Sequence, residues 1–408
     1  MLGAAIEMAR LANEALARAG FERATVVGDA RRGAETMNEL SMVARGPLDM
    51  HALASALRGA TACNDVEADG RDAIRMHFEG GGPARLRVVP ADHYVEALVR
   101  GTGSASHVRW LESLAKRAGG LARACARAKN ERQLYESLGV PFAPPELREQ
   151  PTPHVPKLLT GVRGIFHVHT TWSDGTASIA DMARAAADAR FAYLGISEHS
   201  RAASYARGLD RKRLRAQARA VAEAGREVPQ IVLFHGVEVD VLPDGSLDLD
   251  DATLAGLDFV VASVHTELEM PAASMTERLV RAVTHPLVTI LGHPTGRLLL
   301  GRRGYVFDVD AVASAAAEND TFLEINANPQ RLDLSAALVR RAAARGARFA
   351  IDPDAHSPRG VADTALGLAV ARRAGLAPSQ VLNAKGAPAA AAYLTARRKK
   401  AMARLARR

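Results

Sequence analysis

The sequence predicts an α/β fold whose main part is a (βα) barrel with seven strands. From residue 164 onward, seven nearly continuous apolar runs are each followed by a segment with helical periodicity. Strands that are apolar on both faces are typical of a parallel sheet covered by helices, and a barrel is the simplest closed form of such a sheet. The preceding segment predicts a smaller α/β unit, in which helical stretches mix with short strands such as ATVVG and ARLRVVP.

The elements follow one another in a regular order. In the N-terminal part, apolar spacing predicts helices over residues 4–19, 105–129 and 131–138. In the barrel, the predicted strands are IFHVHT, FAYLGIS, QIVLFHGVEVD, LDFVVASVH, VTILGHP, TFLEINA and RFAIDPDAH. Helices are predicted over residues 178–190, 210–226, 275–283, 308–319 and 335–345.

Proline content marks the domain boundary. Residues 141–160 contain six prolines, which obstruct regular structure and favour an extended connector. A chain of 408 residues is long enough for two or three domains. The predicted organisation is an N-terminal domain at 1–150, a linker at 151–163, the barrel at 164–392 and a basic tail at 393–408.

The positive charge is concentrated at the C-terminal end. The formal charge is +8, yet residues 1–150 hold 20 basic and 19 acidic side chains, and residues 151–390 hold 26 of each. Residues 391–408 contain seven basic and no acidic side chains. Such a tail could contact nucleic acid weakly, or it could form a solvated final helix whose cations suit the helix dipole.

The cellular context follows from a few simple features. Cys63 and Cys125 stand far apart and away from the histidines, which favours reduced thiols over a disulfide framework. The first 20 residues lack the order of charged and apolar segments found in a signal peptide, and no apolar run is long enough to cross a bilayer. We therefore expect a cytoplasmic protein with no membrane partner.

Metal-binding side chains stand at the ends of the predicted strands. Because active sites of parallel barrels lie at the C-terminal ends of strands, these side chains are expected to meet on one rim. Residues two apart on a strand point to the same face, so each HxH or DxH pair can address one cation. The predicted metal ligands are His167, His169, Asp174, His199, Glu238, His265, His293, Asp354 and His356.

Six imidazoles and three carboxylates exceed the needs of one four-coordinate ion, so the sequence predicts two or three divalent ions. Glu238 and Asp354 are the expected bridges, because a carboxylate has two oxygens, and with His356 they form the predicted catalytic group. The donor set favours manganese, zinc or iron over calcium. Each histidine taken singly could be a hydrogen-bonded structural residue, but nine ligands at successive strand ends favour a metal site. His235 and His285 lack this placement.

Several segments resemble the polymerase and histidinol phosphatase (PHP) domain. They are FHVHTTWSDG, ISEHS, GVEVD, SVH, GHPTGR, EINANPQRLDL and DAHS, and two of them, GHPTGR and EINANPQRLDL, are similar to the version fused to bacterial family X DNA polymerases. The resemblance covers 164–390 and implies a distorted seven-stranded barrel with a trinuclear centre, manganese being the implied metal. Glu198 replaces an aspartate, and Asp352 and Pro353 replace a Ser-Thr pair; both changes are expected to alter support of the ligands.

The N-terminal segment resembles the palm and thumb of the same polymerases. VVGDARRGAETMNELSMV is similar to the palm motif, whereas RGTGSASHVRWLESLAKRAG and ERQLYESLGVPFAPPELRE are similar to the thumb. Asp29 takes a serine position, Glu39 and Ser41 take two aspartate positions, and Arg85 takes the third carboxylate position. Because two-metal nucleotidyl transfer needs anionic ligands, polymerase activity is expected to be lost. The helix-hairpin-helix and fingers segments are expected to be absent.

The resemblance leaves several functions open. The first is a metal-dependent phosphoesterase that shortens DNA from its 3′ end, by in-line attack of metal-activated water on phosphorus. The alternatives are a phosphatase for a small phosphomonoester, such as histidinol phosphate or a nucleotide, and a non-catalytic DNA-binding accessory protein. The polymerase-like remnant could guide DNA or serve only as a scaffold.

Three further residues are predicted to bind the substrate. Arg297 and Arg331 follow the fifth and sixth strands, where their guanidinium groups could clamp a phosphate in bidentate fashion. A solvated surface arginine is the alternative for each. Asn328, which shares a face with Asn326, is predicted to orient a substrate hydroxyl or to brace a histidine.

Overall fold

The computed structural model describes residues 1–46, 49–58, 63–152 and 155–407. The chain divides into two compact units, Met1–Pro156 and Lys157–Arg408. This division falls inside the predicted linker at 151–163, of which residues 153 and 154 lie outside the described part of the chain. The second half of that linker belongs to the C-terminal unit, because Leu159 is buried and its backbone N–H donates to Leu376.

The N-terminal unit is built on a mixed five-stranded sheet with the strand order β1-β2-β5-β4-β3. Strands β2 and β5 are parallel, and the other neighbours are antiparallel. The strands are β1 (Thr25–Val27), β2 (Leu40–Arg45), β3 (Cys63–Ala68), β4 (Ala73–Phe78) and β5 (Gly82–Val89). The described helices are α1 (Leu2–Arg18), α2 (Gly28–Arg31), α3 (Met50–Arg58), α4 (Tyr94–Thr102), α5 (Ala105–Ala115), α6 (Leu121–Ala126) and α7 (Glu131–Ser137).

Side-chain alternation explains how this sheet packs. Along β5, Leu86 and Val88 are buried while Arg85 and Arg87 are exposed, so one face of the strand joins the core that α1 covers. The long helix predicted over 105–129 is instead two helices. Gly119 and Gly120 have φ of 84° and 99°, and this left-handed conformation ends the first helix and redirects the chain.

The C-terminal unit contains the predicted seven-stranded parallel sheet, whose strands are hydrogen-bonded in sequence order. The α/β barrel predicted from the sequence is therefore confirmed. Its elements are β6 (Gly164–Ile165), α8 (Ile179–Asp188), β7 (Tyr193–Ile196), α9 (Arg211–Glu227), β8 (Val232–Asp240), α10 (Asp251–Leu254), β9 (Phe259–Ser263), α11 (Ala272–Thr284), β10 (Ile290–Leu291), α12 (Val309–Glu318), β11 (Phe322–Asn326), α13 (Ala336–Ala343), β12 (Arg348–Asp352), α14 (Thr364–Arg373) and α15 (Ala387–Leu405).

The sheet closes at its C-terminal rim. Just beyond the ends of the first and last strands, Val168 and Ala355 form a parallel bridge. The backbone N–H of His169 donates to the carbonyl of Ala355 at 2.9 Å, and the N–H of Ala355 donates to His167 at 3.3 Å. The segments that follow β6 and β12 are thus held side by side.

Strand β8 shows how one element serves both the core and the rim. Residues two apart face the same side of a strand, so Phe234, Gly236, Glu238 and Asp240 lie on one face. Phe234 packs in the aromatic core with Phe259. A Cβ at Gly236 would lie 2.5 Å from the Phe259 ring, so only glycine fits there. The strand therefore leads from an aromatic layer to two carboxylates.

The C-terminal helix alters the predicted boundary at 392/393. Helix α15 runs through that position without interruption, and Leu394 is buried in the aromatic core of the barrel. Arg397 is also buried, and its guanidinium donates to the carbonyls of Asp320 and Pro286 at 3.1 and 3.2 Å. The basic segment is thus part of the C-terminal unit, apart from residue 408, which is not described. In the described chain, each helix is too short or too polar to traverse a lipid bilayer.

Candidate metal centre

The nine predicted ligands come together at the C-terminal rim of the barrel. Five imidazole rings form a closed circuit in which neighbouring ring centroids are 4.4 to 5.9 Å apart. In order around the circuit, they belong to His167, His169, His199, His265 and His293. The sixth ring, that of His356, stacks on His169 at a centroid distance of 4.2 Å.

The carboxylate of Glu238 lies among these rings and is fully buried. Its Oε1 atom lies 3.0 Å from His293 Nε2 and 3.3 Å from Nε2 of both His167 and His265. Its Oε2 atom lies 2.7 Å from His199 Nδ1 and 3.6 Å from His169 Nε2. A single carboxylate thus faces five imidazoles.

Two aspartates complete the cluster. Asp354 places Oδ1 at 3.3 Å from His169 Nε2 and at 3.6 Å from His167 Nε2. Asp174 places its two oxygens 3.4 Å from His356 Nε2 and 3.5 Å from His199 Nε2. The loop that carries Asp174 turns tightly onto the first strand, since a Cβ at the following glycine would lie 2.6 Å from the backbone of His169.

Unsatisfied buried atoms show that this donor set fits cations. Buried imidazole nitrogens and carboxylate oxygens are normally hydrogen-bonded, and leaving one without a partner is costly. Within the described residues, seven such atoms of the predicted ligands have no hydrogen-bond partner: His167 Nε2, His169 Nδ1 and Nε2, His199 Nδ1, Glu238 Oε2, His265 Nε2 and His293 Nδ1.

Eight of the nine predicted ligands, all except His293, fall into three overlapping groups. Within each group the donor atoms lie no more than 4.8 Å apart, a separation that allows them to share an ion. Two of the groups share a residue with a third, so several ions can be held side by side. The groups are His169, Asp174, His199 and His356; His167, His169 and Asp354; and His199, Glu238 and His265.

The charges of the cluster suit metal binding. Burial, together with His356 and His199, lowers the pKa of His169 to about 3, so its imidazole is neutral at pH 7. Burial alone would raise the pKa of Glu238, but the surrounding histidines hold it well below its usual value. Although burial favours a neutral ring, Glu238 and Asp174 raise the pKa of His199 to about 10. Protons and metal ions therefore compete for the same nitrogen lone pairs.

Two buried acids that we did not select from the sequence orient the histidines. Glu324 on β11 accepts from His167 Nδ1 at 2.6 Å and from the backbone N–H of His293 at 2.5 Å. Asp240 on β8 lies 3.1 Å from His265 Nδ1. The contacts to His167 and His265 each fix Nδ1 and leave Nε2 facing the cavity. The sequence does contain a signal for these two acids, because each lies two residues from another polar residue on a strand that ends at the rim.

The two departures from the PHP pattern lie in the supporting network. Glu198 is buried and accepts hydrogen bonds from the backbone N–H of Thr170 and from Gln217, both at 3.1 Å. Asp352 accepts from the backbone N–H of Phe166 at 2.7 Å. Neither side chain belongs to the ligand groups, and each ties together segments that carry ligands.

Backbone strain also concentrates at the centre. His293 and Asp354 have φ of 24° and 51°, in the left-handed region that side-chain-bearing residues seldom adopt. Such conformations persist only where surrounding contacts enforce them, and they are frequent at functional sites. Here they aim one imidazole and one carboxylate into the cavity.

The predicted substrate-binding residues have different surroundings. Arg331 lies beside the cluster, with Nε 3.3 Å from Asp354 Oδ2. Arg297 is turned towards the protein instead, because its Nε donates to the carbonyl of Arg331 at 3.0 Å and its guanidinium also reaches the carbonyl of Leu332. The side-chain oxygen of Asn328 accepts from the N–H of Gln330 at 2.9 Å, as in a local turn.

Residues left out of the predicted site lie elsewhere. His235 Nε2 is 3.1 Å from Gln217 Oε1, and His285 Nε2 is 3.1 Å from Asp251. Cys63 and Cys125 are buried free thiols. Asn326 is the exception, because it donates to Asp354 at 3.2 Å and therefore supports a ligand.

Comparison with known proteins agrees with this geometry. Residues 166–328 match the PHP domain. The DNA polymerase/3′-5′ exonuclease PolX of Bacillus subtilis (strain 168) is 32% identical over 415 residues, which cover 96% of this chain and 72% of that protein. A probable phosphatase of Thermoanaerobacter sp. (strain X514) is 30% identical over 167 residues, 38% of this chain and 66% of that protein. A probable phosphatase of Caldicellulosiruptor saccharolyticus is 34% identical over 104 residues, 25% of this chain and 41% of that protein.

The match and the cluster of histidines and carboxylates support the same chemistry. A barrel rim with this donor set binds several divalent metal ions, which is the property expected of a PHP domain. The protein is a metal-dependent phosphoesterase, and the identity along nearly the whole chain places it in the PHP-domain family that includes the PolX protein of Bacillus subtilis.

Proposed function

We propose that the protein is a 3′-5′ exonuclease that removes nucleotides from DNA ends. One observation carries this proposal: the likeness to a protein named DNA polymerase/3′-5′ exonuclease extends over 96% of the chain and so includes the N-terminal unit. The probable phosphatases match 38% and 25% of the chain. A relative that shares both units is the better guide to the substrate than relatives that share one.

The residues at the barrel rim would hold the metal ions that bind the substrate phosphate. The three ligand groups would hold the ions; Glu238 and Asp354, the expected bridging carboxylates, each belong to one group, and His169 and His199 each belong to two. His356 lies at the exposed side of the centre. When bound, the ions neutralise phosphate charge and lower the pKa of water, which is the chemistry that hydrolysis needs. Glu324 and Asp240 keep their histidines in the required orientation.

Arg331 is the proposed contact to the phosphate. Its Nε faces Asp354, and within the described residues its two terminal amino groups make no hydrogen bond, so they can donate to phosphate oxygens. Arg297 would act through Arg331, since it holds the carbonyls of the same loop. The amino group of Asn328 could donate to a substrate hydroxyl, because the amide oxygen is used in the turn.

Manganese is the proposed metal, with zinc and iron as alternatives. The nine predicted ligands, six imidazoles and three carboxylates, offer nitrogen and oxygen donors that all three ions accept. The number of ions proposed is two or three. Metal analysis of protein purified from manganese-supplemented cells would distinguish among them.

A small-molecule phosphatase is the second candidate. It is favoured by the probable phosphatases among the relatives and by the changes in the polymerase-like unit, where Ser41 on β2 is paired with Arg85 on β5. A cation at that position cannot bind magnesium, so we propose that the N-terminal unit does not polymerise DNA. A purely DNA-binding role is disfavoured by seven unsatisfied buried donor atoms, which a site without ligands would not retain.

The basic C-terminal segment has a limited share in this proposal. Arg397 and Arg398 donate to backbone carbonyls of the barrel, and Arg404 donates to Asn319. Lys399 and Lys400 remain exposed and could make weak contacts with nucleic acid.

Product analysis tests the proposed function. Purified full-length protein with manganese is given a 5′-labelled oligonucleotide and, separately, small phosphomonoesters such as nucleotides and histidinol phosphate. We expect a ladder of products shortened from the 3′ end and slow release of phosphate from the small esters. Rapid phosphate release without shortening of the oligonucleotide would replace the exonuclease by the phosphatase.

Two histidine variants control this assay. His169→Ala removes a residue of two ligand groups, whereas His285→Ala removes a histidine of the same unit that contacts Asp251. The first should abolish the ladder and the second should retain it. Loss of activity in both variants would point to a contaminating nuclease or to general instability.

A further inference from the structure

A basic groove adjoins the metal centre. It encloses about 490 Å³ between the segment after β7 and the start of α9. Four cationic side chains line it, and all four are exposed: Arg201, Arg211, Lys212 and Arg215.

In the described part of the chain, the acidic side chains of the groove are hydrogen-bonded within the fold, whereas the cationic side chains are not. Each carboxylate is occupied by the fold, since Asp210 and Asp250 cap helices and Asp248 accepts from Ser200 Oγ at 2.6 Å and from the Ala202 N–H at 2.8 Å. None of the four cations forms an ion pair or a side-chain hydrogen bond with another described residue. The lining carries four cations against three carboxylates, and the four unpaired cations can bind an external anion.

Local stability does not explain this charge. Positive side chains in the first turn of a helix are disfavoured by the helix dipole, and α9 begins with Arg211 and Lys212 and has no acid in its first turn. The cations thus raise the free energy of the folded helix slightly. A polyanionic ligand would reverse that effect.

The groove is fixed to the metal centre. Arg201 follows His199 by two residues, so the Cα atoms of these two residues lie within about 7 Å of each other. Arg207 donates to the carbonyl of Ser173, and Arg213 donates to the carbonyl of Trp172. These bonds join the groove to the loop that bears Asp174, so the two sites keep a constant spacing.

An exposed aromatic ring lies beside the metal centre, on the segment that joins Arg201 of the groove to α9. Tyr205 is 70% exposed, and its ring centroid lies 6.2 Å from that of His199. Exposing so much of an aromatic side chain costs hydrophobic free energy. Aromatic rings beside a cationic groove are the arrangement on which single-stranded nucleic acids stack their bases.

We propose that Tyr205 and the basic groove form a binding track for the single strand that leads to the scissile phosphate. This inference rests on the proposed exonuclease function and specifies how its substrate is held. An unpaired base near the 3′ end stacks on Tyr205, and the phosphates upstream of it lie along Arg201, Arg211, Lys212 and Arg215. A small phosphomonoester would reach the metal centre without using the track.

The charge variants test the groove. Arg211→Ala/Arg215→Ala removes two cations of the groove, and Arg219→Ala/Arg226→Ala removes two exposed cations elsewhere on α9. We expect the ratio of kcat/KM for a 12-nucleotide strand to that for a dinucleotide to fall about ten-fold in the first variant only. The slope of log(kcat/KM) against log[salt] for the longer strand should become shallower by about 1.4. Equal ratios and slopes in both variants would overturn the proposal.

The tyrosine variants test stacking. Tyr205→Ala should raise KM for single-stranded DNA and RNA by about ten-fold, whereas Tyr205→Phe, which keeps the ring, should retain the wild-type value. Comparison of the DNA and RNA strands identifies which sugar the track accepts. If Tyr205→Ala keeps the KM of the wild type for both strands, no base stacks on this ring.

Binding can be measured apart from hydrolysis. Anisotropy of a labelled 12-nucleotide strand is followed with His169→Ala protein, with and without the changes in the groove. If wild-type protein cleaves no oligonucleotide, the exonuclease proposal fails; a ten-fold weaker Kd in the groove variant would still support the track. If cleavage occurs but neither binding nor kcat/KM depends on the groove, the track is rejected and the exonuclease stands.

Discussion

Each unit contains a buried histidine whose pKa is lowered by burial, yet the two side chains have different functions. In the N-terminal unit, His107 lies with Nε2 2.6 Å from the Tyr135 hydroxyl and Nδ1 3.1 Å from the carbonyl of Gln150. In the barrel, both ring nitrogens of His169 lack a hydrogen-bond partner among the described residues. Unsatisfied ring nitrogens, rather than burial, distinguish a metal ligand from a structural histidine.

The charged residues of the two units differ in the same way. In the N-terminal unit, Arg31 and Arg148 both pair with buried Glu131, and Arg85 pairs with Asp69 at 2.7 Å. In the barrel, carboxylates meet imidazoles at distances that leave room for ions. In the N-terminal unit these cations and carboxylates pair with one another, whereas the barrel keeps seven ligand atoms without a hydrogen-bond partner among the described residues.

Removing one buried histidine from each unit should give the largest difference in activity and metal content. We expect His169→Ala to lower kcat for oligonucleotide cleavage by about 1,000-fold and to reduce the bound manganese, because the residue belongs to two ligand groups. His107→Ala should keep the manganese content and instead lower the urea midpoint of the N-terminal unit, since Tyr135 loses its partner. Metal analysis, kinetics and urea unfolding on both variants check this. Equal metal loss in both would show that the distinction is wrong.

Replacement of Glu324, the acid that orients His167, should have the next largest effect on metal binding. Glu324→Gln keeps the shape of the side chain but removes the charge opposite Nδ1. We expect manganese affinity to fall about 10- to 100-fold, measured by calorimetric titration. Glu318→Gln, at the exposed end of α12, is the matched control and should bind manganese as the wild type does. Unchanged affinity in Glu324→Gln would remove Glu324 from the support of the centre.

Mild acid should affect the N-terminal unit through His107. Burial lowers the pKa of His107 from 6.5 to about 4, so between these values the unfolded chain binds the proton and the folded chain does not. Stability of this unit should therefore fall as the pH decreases from about 6.5 towards 4. Fluorescence of Trp110, whose ring centroid is 5.2 Å from that of His107, reports urea unfolding in a Trp172→Phe background.

A His107→Gln variant is the control for that titration. Its urea midpoint should depend less on pH over the same range, because the titrating group is gone. The same pH dependence in both proteins would assign the effect to other groups.

The smallest effect is expected for Arg85→Ala. The Arg85 side chain is 46% exposed, and ion pairs at such positions contribute less than about 1 kcal/mol to the free energy of unfolding. Phosphoester hydrolysis by the barrel should stay within two-fold of the wild-type rate. A large loss of hydrolysis would mean that the polymerase-like surface contributes to catalysis.

Much of the barrel and of its site could be predicted because the rules involved are local. A period of two along a strand places both members of HVH and DAH on one face, and chain order alone brings the ends of parallel strands to one rim. The helix predicted over 105–129 was wrong because two adjacent glycines adopt left-handed φ within it. The predicted boundary between barrel and tail at 392/393 is not seen, because Leu394 packs in the barrel core. Amino-acid composition does not reveal such packing.

For the barrel, the sequence by itself determined the order of the seven strands, the residues that reach the rim and the metal-dependent chemistry they perform. Tertiary structure alone decided that Glu324 faces His167 across 157 residues, that Arg297 donates to the carbonyl of Arg331, and that Tyr205 stands exposed beside His199. The reason is physical: alternation and helical period depend on neighbours in the chain, whereas partners of a buried charge depend on the register of different strands and the paths of loops between them.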